Sequence, residues 1–264
     1  MFPLLFAWGP VSFRTINLFL IFAFLSAAFI FWRKSKEEHY EESVVFDGFL
    51  QSSFVGLLVA RLAFIAFHFP TFQFNLWHWL DLVGHAGYMP LFGLLASGLY
   101  LYRYAAHKKW DVFEILDFWV LGMSLGLVFS WLGAFFDGSG FGVATSMPWG
   151  MVFPGVFEKH HPIQLYFVIL YGALFWYLSW ADFHYRTFGW YRAGKNTAQT
   201  GYLTSVFLII SSLFSAIIAW WRPPQFAFNN HWIDIVVYGS LCFAGCLLLW
   251  SRSGRTMLPS RARR

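Results

Sequence analysis

His85 lies in the stretch Leu82-Val83-Gly84-His85-Ala86-Gly87-Tyr88, at the head of an apolar run that continues to about Tyr104. Its neighbours Gly84, Ala86 and Gly87 are small and leave room for another backbone or a ligand. Imidazole titrates near neutral pH and so suits a general base. An ionisable group at membrane depth is costly, which makes it a candidate for function. The other reading is a histidine at a helix end, wetted by the interface. Arg61 lies inside a second apolar run, 44–68. A guanidinium there snorkels outward, finds an acid, or meets a lipid phosphate that its planar fork pairs bidentately.

Three further groups could hold or orient a ligand. Asp137-Gly138-Ser139-Gly140-Phe141-Gly142 is a glycine-rich end to an apolar run. Irregular backbone at depth is tolerated where it lines a cavity, and its free N–H groups suit an anionic headgroup. The alternative is an ordinary flexible loop, with Asp137 either paired to a basic group or solvated. His160-His161-Pro162-Ile163-Gln164-Leu165-Tyr166 opens another run, and Pro162 fits the first turn of a helix. Adjacent histidines do not share a helix face. No i,i+4 histidine pair or cysteine ligand supports a metal or haem, so neither metal nor cofactor is expected. Arg222 closes a run ending Trp220-Trp221-Arg222-Pro223-Pro224.

The elements that must position these groups are membrane spans. The chain has 264 residues, 58% of them hydrophobic and 23% aromatic, with 12% charged. A soluble domain carries about 25% charged residues. A helix needs about 20 apolar residues to cross a bilayer, and seven runs qualify: 11–32, 44–68, 83–105, 112–136, 161–183, 201–221 and 232–250. No β-barrel alternation is present. The first run is too long for a cleaved leader and has no basic stretch before it, so it is expected to be retained. Cys242 and Cys246 are i,i+4 in one run and read as packing residues, not a disulfide.

Loop charge sets the orientation. Arg33, Lys34 and Lys36, then Arg103, Lys108 and Lys109, then Arg186, Arg192 and Lys195, fall in alternate loops. With five arginines after residue 251 they make 14 of the 18 basic residues. That side is cytoplasmic, the N-terminus is outside and the C-terminus inside. The net charge of +5 is spread between apolar runs, so no nucleic-acid partner is expected. Residues 1–250 form one seven-helix domain, followed by a basic tail, 251–264, attracted to anionic lipid. The outer segment 69–79 is aromatic and reads as interfacial.

Several of these pieces resemble the prolipoprotein diacylglyceryl transferases of the bacterial inner membrane. Phe6-Ala7-Trp8-Gly9-Pro10-Val11 is similar to that family's opening segment. The run with Arg61 matches the span carrying its Gly-Gly-Arg. Gly84-His85-Ala86-Gly87 stands where the family has Phe-His-Gly-Gly. Leu132 to Gly138 falls on its signature Arg-x-Gly-Asn-Phe-x-Asn-x-Glu, and His161-Pro162-Ile163-Gln164-Leu165-Tyr166 on its His-Pro-x-Gln-Leu-Tyr-Glu. Against that pattern Trp131 replaces the arginine, Ala134 and Asp137 the asparagines and Ser139 the glutamate of the signature. Phe167 replaces the glutamate after Tyr166, Ser215 a sixth-span arginine and Ile16 a first-span tyrosine. Arg222 keeps the basic residue closing the sixth span.

The resemblance implies a bundle of seven transmembrane helices in the bacterial inner membrane. It implies an enzyme that moves the diacylglyceryl group of phosphatidylglycerol, or a related anionic phospholipid, to the lipobox cysteine in a prolipoprotein signal peptide. His85 would be the base or a hydrogen-bond partner to the substrate. Arg61, Asp137, Gly138, Gly142, His161, Gln164, Tyr166 and Arg222 would bind substrate. Arg61, His85, Gly138, Gly142 and Arg222 are expected to converge on one opening to the outer leaflet. A second reading is a catalytically impaired member of the same fold that binds lipid or lipopeptide, or acts on another lipid. An unrelated seven-span sensor or channel is the weakest reading, because no span carries a ladder of acids or a mid-span lysine.

Overall fold

The computed structural model describes residues 2–8, 11–81, 87–186, 200–223 and 231–252. It is an all-α membrane protein with two small β-hairpins. Among the described residues six helices are long and apolar enough to span a bilayer. They are α1 (Thr15–Glu37), α2 (Glu42–Phe67), α6 (Val112–Asp137), α7 (Ile163–Arg186), α8 (Tyr202–Ile218, continued by a 3₁₀ turn to Trp221) and α9 (His231–Arg252). Their outward faces carry bare apolar side chains, Phe54, Leu57, Ile169, Trp176 and Phe243 among them. Only lipid solvates such a surface without cost. Between α2 and α6 lie the short α3 (Phe69–Phe72) and α4 (Leu76–Leu80) and the 18-residue α5 (Pro90–His107). The two short helices occupy the segment expected at the interface. Their Phe74, Leu76, Trp77 and Leu80 surroundings are well exposed.

Small residues set the helix pairs. A Cβ on Gly122 of α6 would lie 2.7 Å from the Ala27 carbonyl oxygen of α1, and one on Gly126 3.0 Å from that of Ala23. Gly56 of α2 and Gly93 of α5 meet in the same way, each hypothetical Cβ within 3.0 Å of the other's carbonyl oxygen. Backbones approach this closely only where side chains are minimal. α6 also packs on α5, α7 and α8 and is the middle of the bundle.

One end of the bundle is tied by acids on α6. Asp111 caps its own helix through Phe113 and Glu114 N–H (3.0 and 3.3 Å) and accepts from the Thr200 hydroxyl (2.9 Å). Asp117, buried, accepts from Gly201 N–H (2.7 Å), Thr204 N–H (2.8 Å) and the Thr204 hydroxyl (2.6 Å). A carboxylate of α6 thus satisfies the orphan donors that begin α8.

Several boundaries differ from the sequence reading. The first span starts at Thr15, not at 11. Residues Val11–Arg14 form β2, antiparallel to β1 (Leu4–Trp8), with Phe6 and Phe13 stacked 5.1 Å apart. The alternation Val11, Ser12, Phe13, Arg14 has the period of a strand, and an apolar-run reading overlooks it. The third helix starts at Pro90, not at 83. Met89 is extended, its N–H bonded to the Ala60 carbonyl (3.0 Å), and Pro90 takes the first helical position. A second small hairpin pairs β3 (Met151–Val152) with β4 (Lys159–His160). Cys242 and Cys246 are free thiols, but Cys246 is exposed on α9, facing outward and not packed as expected. Residues 82–86 with His85, the loop 187–199 with Arg192 and Lys195, and the tail from 253 lie outside the described residues.

Candidate active site

The site forms where α6 ends. Gly138 takes the left-handed conformation (φ 77°) that terminates the helix, and its N–H and that of Ser139 bond back to the Phe135 and Ala134 carbonyls. Gly140 is also left-handed (φ 74°). The chain then runs as a strap across the start of α7 and the end of α8. Gly142 N–H donates to the His161 carbonyl (2.9 Å), His161 N–H to that of Val143 (3.1 Å), and Val143 N–H to that of Trp221 (2.8 Å). A Cβ on Gly142 would sit 2.3 Å from the Trp221 carbonyl oxygen and 2.9 Å from the His161 Cβ. Only glycine lets the three segments meet here.

This meeting brings the segment of His161, Gln164 and Tyr166 against that of Arg222. His161 is buried. Its Nδ1 is hydrogen-bonded to the Tyr166 hydroxyl (3.2 Å) and its ring packs 5.9 Å from that of Trp221. Gln164 is fully buried and donates from Nε2 to the Ser139 carbonyl (2.8 Å). Arg222 is buried and donates from Nη2 to the Tyr238 hydroxyl of α9 (2.9 Å). Its guanidinium carbon lies 6.0 Å from the Phe167 ring centre and 5.5 Å from that of Tyr238. Tyr238 was not singled out in the sequence. Its one signal is a hydroxyl one helical turn after Asp234 in a mostly apolar run.

Two buried atoms in these segments have no hydrogen-bond partner: Arg222 Nε and Gln164 Oε1. A buried donor or acceptor left unpaired costs about 1–3 kcal/mol, and more when it belongs to a charged group. One is a cationic donor and the other a neutral acceptor. A ligand with an anionic oxygen and a hydroxyl would satisfy both. Aromatic rings around Arg222 keep the local dielectric low and so strengthen its attraction for an anion.

Two expected site residues stand elsewhere in the structure. Asp137 is buried at the end of α6 and held by Arg14, which donates from Nε to Oδ1 (3.0 Å) and from Nη2 to Oδ2. Of the two fates open in the sequence, Asp137 has taken the paired one. The bridge ties the β1–β2 hairpin to α6, together with the bond from Phe2 N–H to the Phe136 carbonyl (2.9 Å). Arg61 is buried, so of the three routes open to it in the sequence it does not snorkel outward. It donates to backbone carbonyls: Nε to Trp79 (3.2 Å), Nη1 to Gly87 (3.0 Å), and Nη2 to His78 (3.3 Å) and Asp81 (3.1 Å). Its cation also lies 5.2 Å from the Phe72 ring centre and 5.9 Å from that of Tyr88. The bonds of Arg61 run to the connection between α4 and α5, and those of Arg222 to the strap cluster. His85 lies between the Arg61-bound residues in sequence, outside the described residues.

Comparison with known proteins gives this geometry a family. The relative from the Wolbachia of Brugia malayi is 26% identical over 245 residues, 89% of this chain and 87% of its own. That from Idiomarina loihiensis is 29% identical over 228 residues, covering 84% and 81%. That from Aeromonas salmonicida is 25% identical over 276 residues, covering 98% and 93%. All three bear the name phosphatidylglycerol–prolipoprotein diacylglyceryl transferase. The family model for prolipoprotein diacylglyceryl transferase matches residues 3–251, nearly end to end, and the chain belongs to that family.

Proposed function

We propose that this protein transfers the diacylglyceryl group of phosphatidylglycerol to the lipobox cysteine of a prolipoprotein. The observation that carries the reading is the buried guanidinium of Arg222, with Nε unpaired among aromatic rings, in a chain that matches the transferase family over residues 3–251. In the reaction the cysteine thiol loses its proton to a base, and the thiolate attacks the glyceryl carbon that bears the phosphoester. A carbon–sulfur bond forms, the carbon–oxygen bond breaks, and glycerol phosphate leaves with the bonding electrons. Charge builds on the departing phosphate, and Arg222 supplies the fixed donor for it. Removing one such preorganised donor costs roughly 3 kcal/mol. His85 is the base of this proposal, and Gly138, Gly142, His161, Gln164 and Tyr166 shape the headgroup pocket. A second base is supported by one observation: His161 packs its ring against that of Trp221, the neighbour of Arg222.

The membrane setting follows the same reading. α5 is the seventh span: its 18 residues rise about 27 Å, close to the hydrocarbon thickness. The N-terminus lies outside, the C-terminus lies in the cytoplasm, and the membrane is the bacterial inner membrane. Phe157, fully exposed on the strap side, and Glu41, exposed between α1 and α2, fall on opposite faces. In a Cys242→Ala, Cys246→Ala background, an impermeant thiol reagent should reach Phe157→Cys in intact cells and miss Glu41→Cys. The reverse pattern would sink the topology.

The function is tested with protein in detergent, phosphatidylglycerol and a lipobox-cysteine peptide. The native protein should form diacylglyceryl peptide, Arg222→Gln about a hundredfold less, and His85→Ala little. Lipid bound with no product from the native protein would favour the impaired, lipid-binding reading. Loss in His161→Ala but not His85→Ala would move the base to His161.

A further inference from the structure

We infer that Gln164 is the specificity residue for the headgroup: its Oε1 accepts a hydrogen bond from a headgroup hydroxyl, while Arg222 Nε holds the phosphate. This rests on the function proposed above and names which lipid the same site selects. The amide orientation is set by the structure. Gln164 Nε2 donates to the Ser139 carbonyl at 2.8 Å. Turning the amide over would set two acceptor oxygens against each other, so Oε1 is committed to face away from Ser139. In that position it is fully buried and has no partner. An acceptor of this kind rewards a ligand that brings an O–H and penalises one that buries it against carbon.

The second unpaired atom decides the rest of the ligand. Arg222 Nε is a cationic donor with no acceptor, and Tyr238 occupies only one of the other donor nitrogens. It asks for an anionic oxygen. Gln164 and Arg222 belong to one cluster, since Arg222 stacks over Phe167, three residues along α7 from Gln164, and the strap is bonded to both segments. Trp221 stands at the rim, 42% exposed, with its ring against His161. A phosphate joined to a short polyol meets both demands. A choline or ethanolamine headgroup would bring a second cation beside Arg222, and an alkyl headgroup would leave Oε1 unpaired.

The test uses the purified full chain in detergent, titrated with phosphatidylglycerol and with phosphatidylpropanol of the same acyl chains. The two lipids share charge and carbon skeleton and differ by the two hydroxyls. Native protein should bind phosphatidylglycerol about tenfold more tightly, the factor that corresponds to about 1.4 kcal/mol. In Gln164→Leu, or in Gln164→Met if the leucine variant does not fold, the two affinities should become equal. In Arg222→Gln both should weaken by a common factor, with the preference kept. Equal binding of both lipids by native protein would overturn the role of Gln164 and leave the proposed function standing. A preference that survives in the Gln164 variants would do the same. Failure of native protein to bind either lipid would overturn the proposed function itself.

Discussion

Trp131 of α6 and Phe167 of α7 lie face to face, with ring centres 4.3 Å apart and planes 8° from parallel. In the family pattern these positions carry an arginine and a glutamate. The two departures from the pattern that the sequence resembles are therefore in direct contact, as one stack of rings. Replacing a buried ion pair by packed apolar groups is often neutral or stabilising, whereas breaking it from one side is costly. Arg222 faces the same Phe167 ring at 6.0 Å.

It follows that the two positions are coupled. Trp131→Arg alone should place an unpaired cation beside Arg222 and destabilise by about 3 kcal/mol. Phe167→Glu alone should capture Arg222 and weaken anionic lipid binding. The double variant should recover at least about 1 kcal/mol relative to the sum of the singles. Thermal unfolding in detergent, analysed as a double-mutant cycle, measures this, and additive effects would show that the positions act independently.

The bridge between Arg14 and Asp137 should respond unequally to its two deletions. The Asp137 side chain is fully buried, and that of Arg14 is half exposed. Arg14→Ala strands a buried carboxylate and should cost about 3 kcal/mol. Asp137→Ala leaves an arginine that can reach solvent or headgroups and should cost about 1 kcal/mol. Equal losses in thermal unfolding would mean that the carboxylate finds another donor.

The framework of the fold was legible because lipid leaves little choice. Long apolar runs must be helices, and each of the seven holds one, six of them long and apolar enough to cross a bilayer among the described residues. The motif holding His161, Gln164 and Tyr166 and the depth of Arg222 were legible, but the strap that links the two segments was not. Pairings across the chain were not. Arg14 and Asp137 are 123 residues apart, and nothing local links them. The sequence left Arg61 to snorkel, to find an acid or to meet a phosphate, because it shows side chains and not the carbonyls that a loop can turn toward a guanidinium. The β1–β2 hairpin was missed because Val11 and Phe13 were joined to the apolar run of α1 across the polar Ser12 and Arg14 that mark the strand's alternation.

Gly142 and Gly172 offer a paired test of the strap. A Cβ on Gly142 meets the Trp221 carbonyl oxygen at 2.3 Å, and one on Gly172 of α7 meets nothing within 4 Å. Gly142→Ala should push the strap off α8, cost more than about 2 kcal/mol and lower transfer activity. Gly172→Ala should stabilise by about 0.5–1 kcal/mol, through helix propensity alone. If Gly142→Ala melts like the native protein, the strap has freedom that its hydrogen bonds do not suggest.

Arg61 should behave as a positioning residue and not as a lipid ligand. Its Nε, Nη1 and Nη2 all donate to carbonyls at 3.0–3.3 Å. Those carbonyls belong to residues 78, 79 and 81 on one side of His85 and to residue 87 on the other. A guanidinium spans them because it presents five donors in a fixed plane, and an ammonium offers three on a point. Arg61→Lys keeps the charge but abandons at least one carbonyl. If Arg61 bound phosphate, lysine would retain much of the lipid affinity through its charge, and Arg61→Gln would lose it. If Arg61 acts by holding the connection, Lys and Gln should be alike. Both should leave the affinity for phosphatidylglycerol within about twofold, because no phosphate contact is lost, and both should lower kcat about tenfold or more, as small misplacements of a reacting group do. Lipid titration and turnover with the lipobox peptide, measured on the same preparations, separate the two. A large fall in lipid affinity for Arg61→Gln that Arg61→Lys rescues would return Arg61 to the phosphate site.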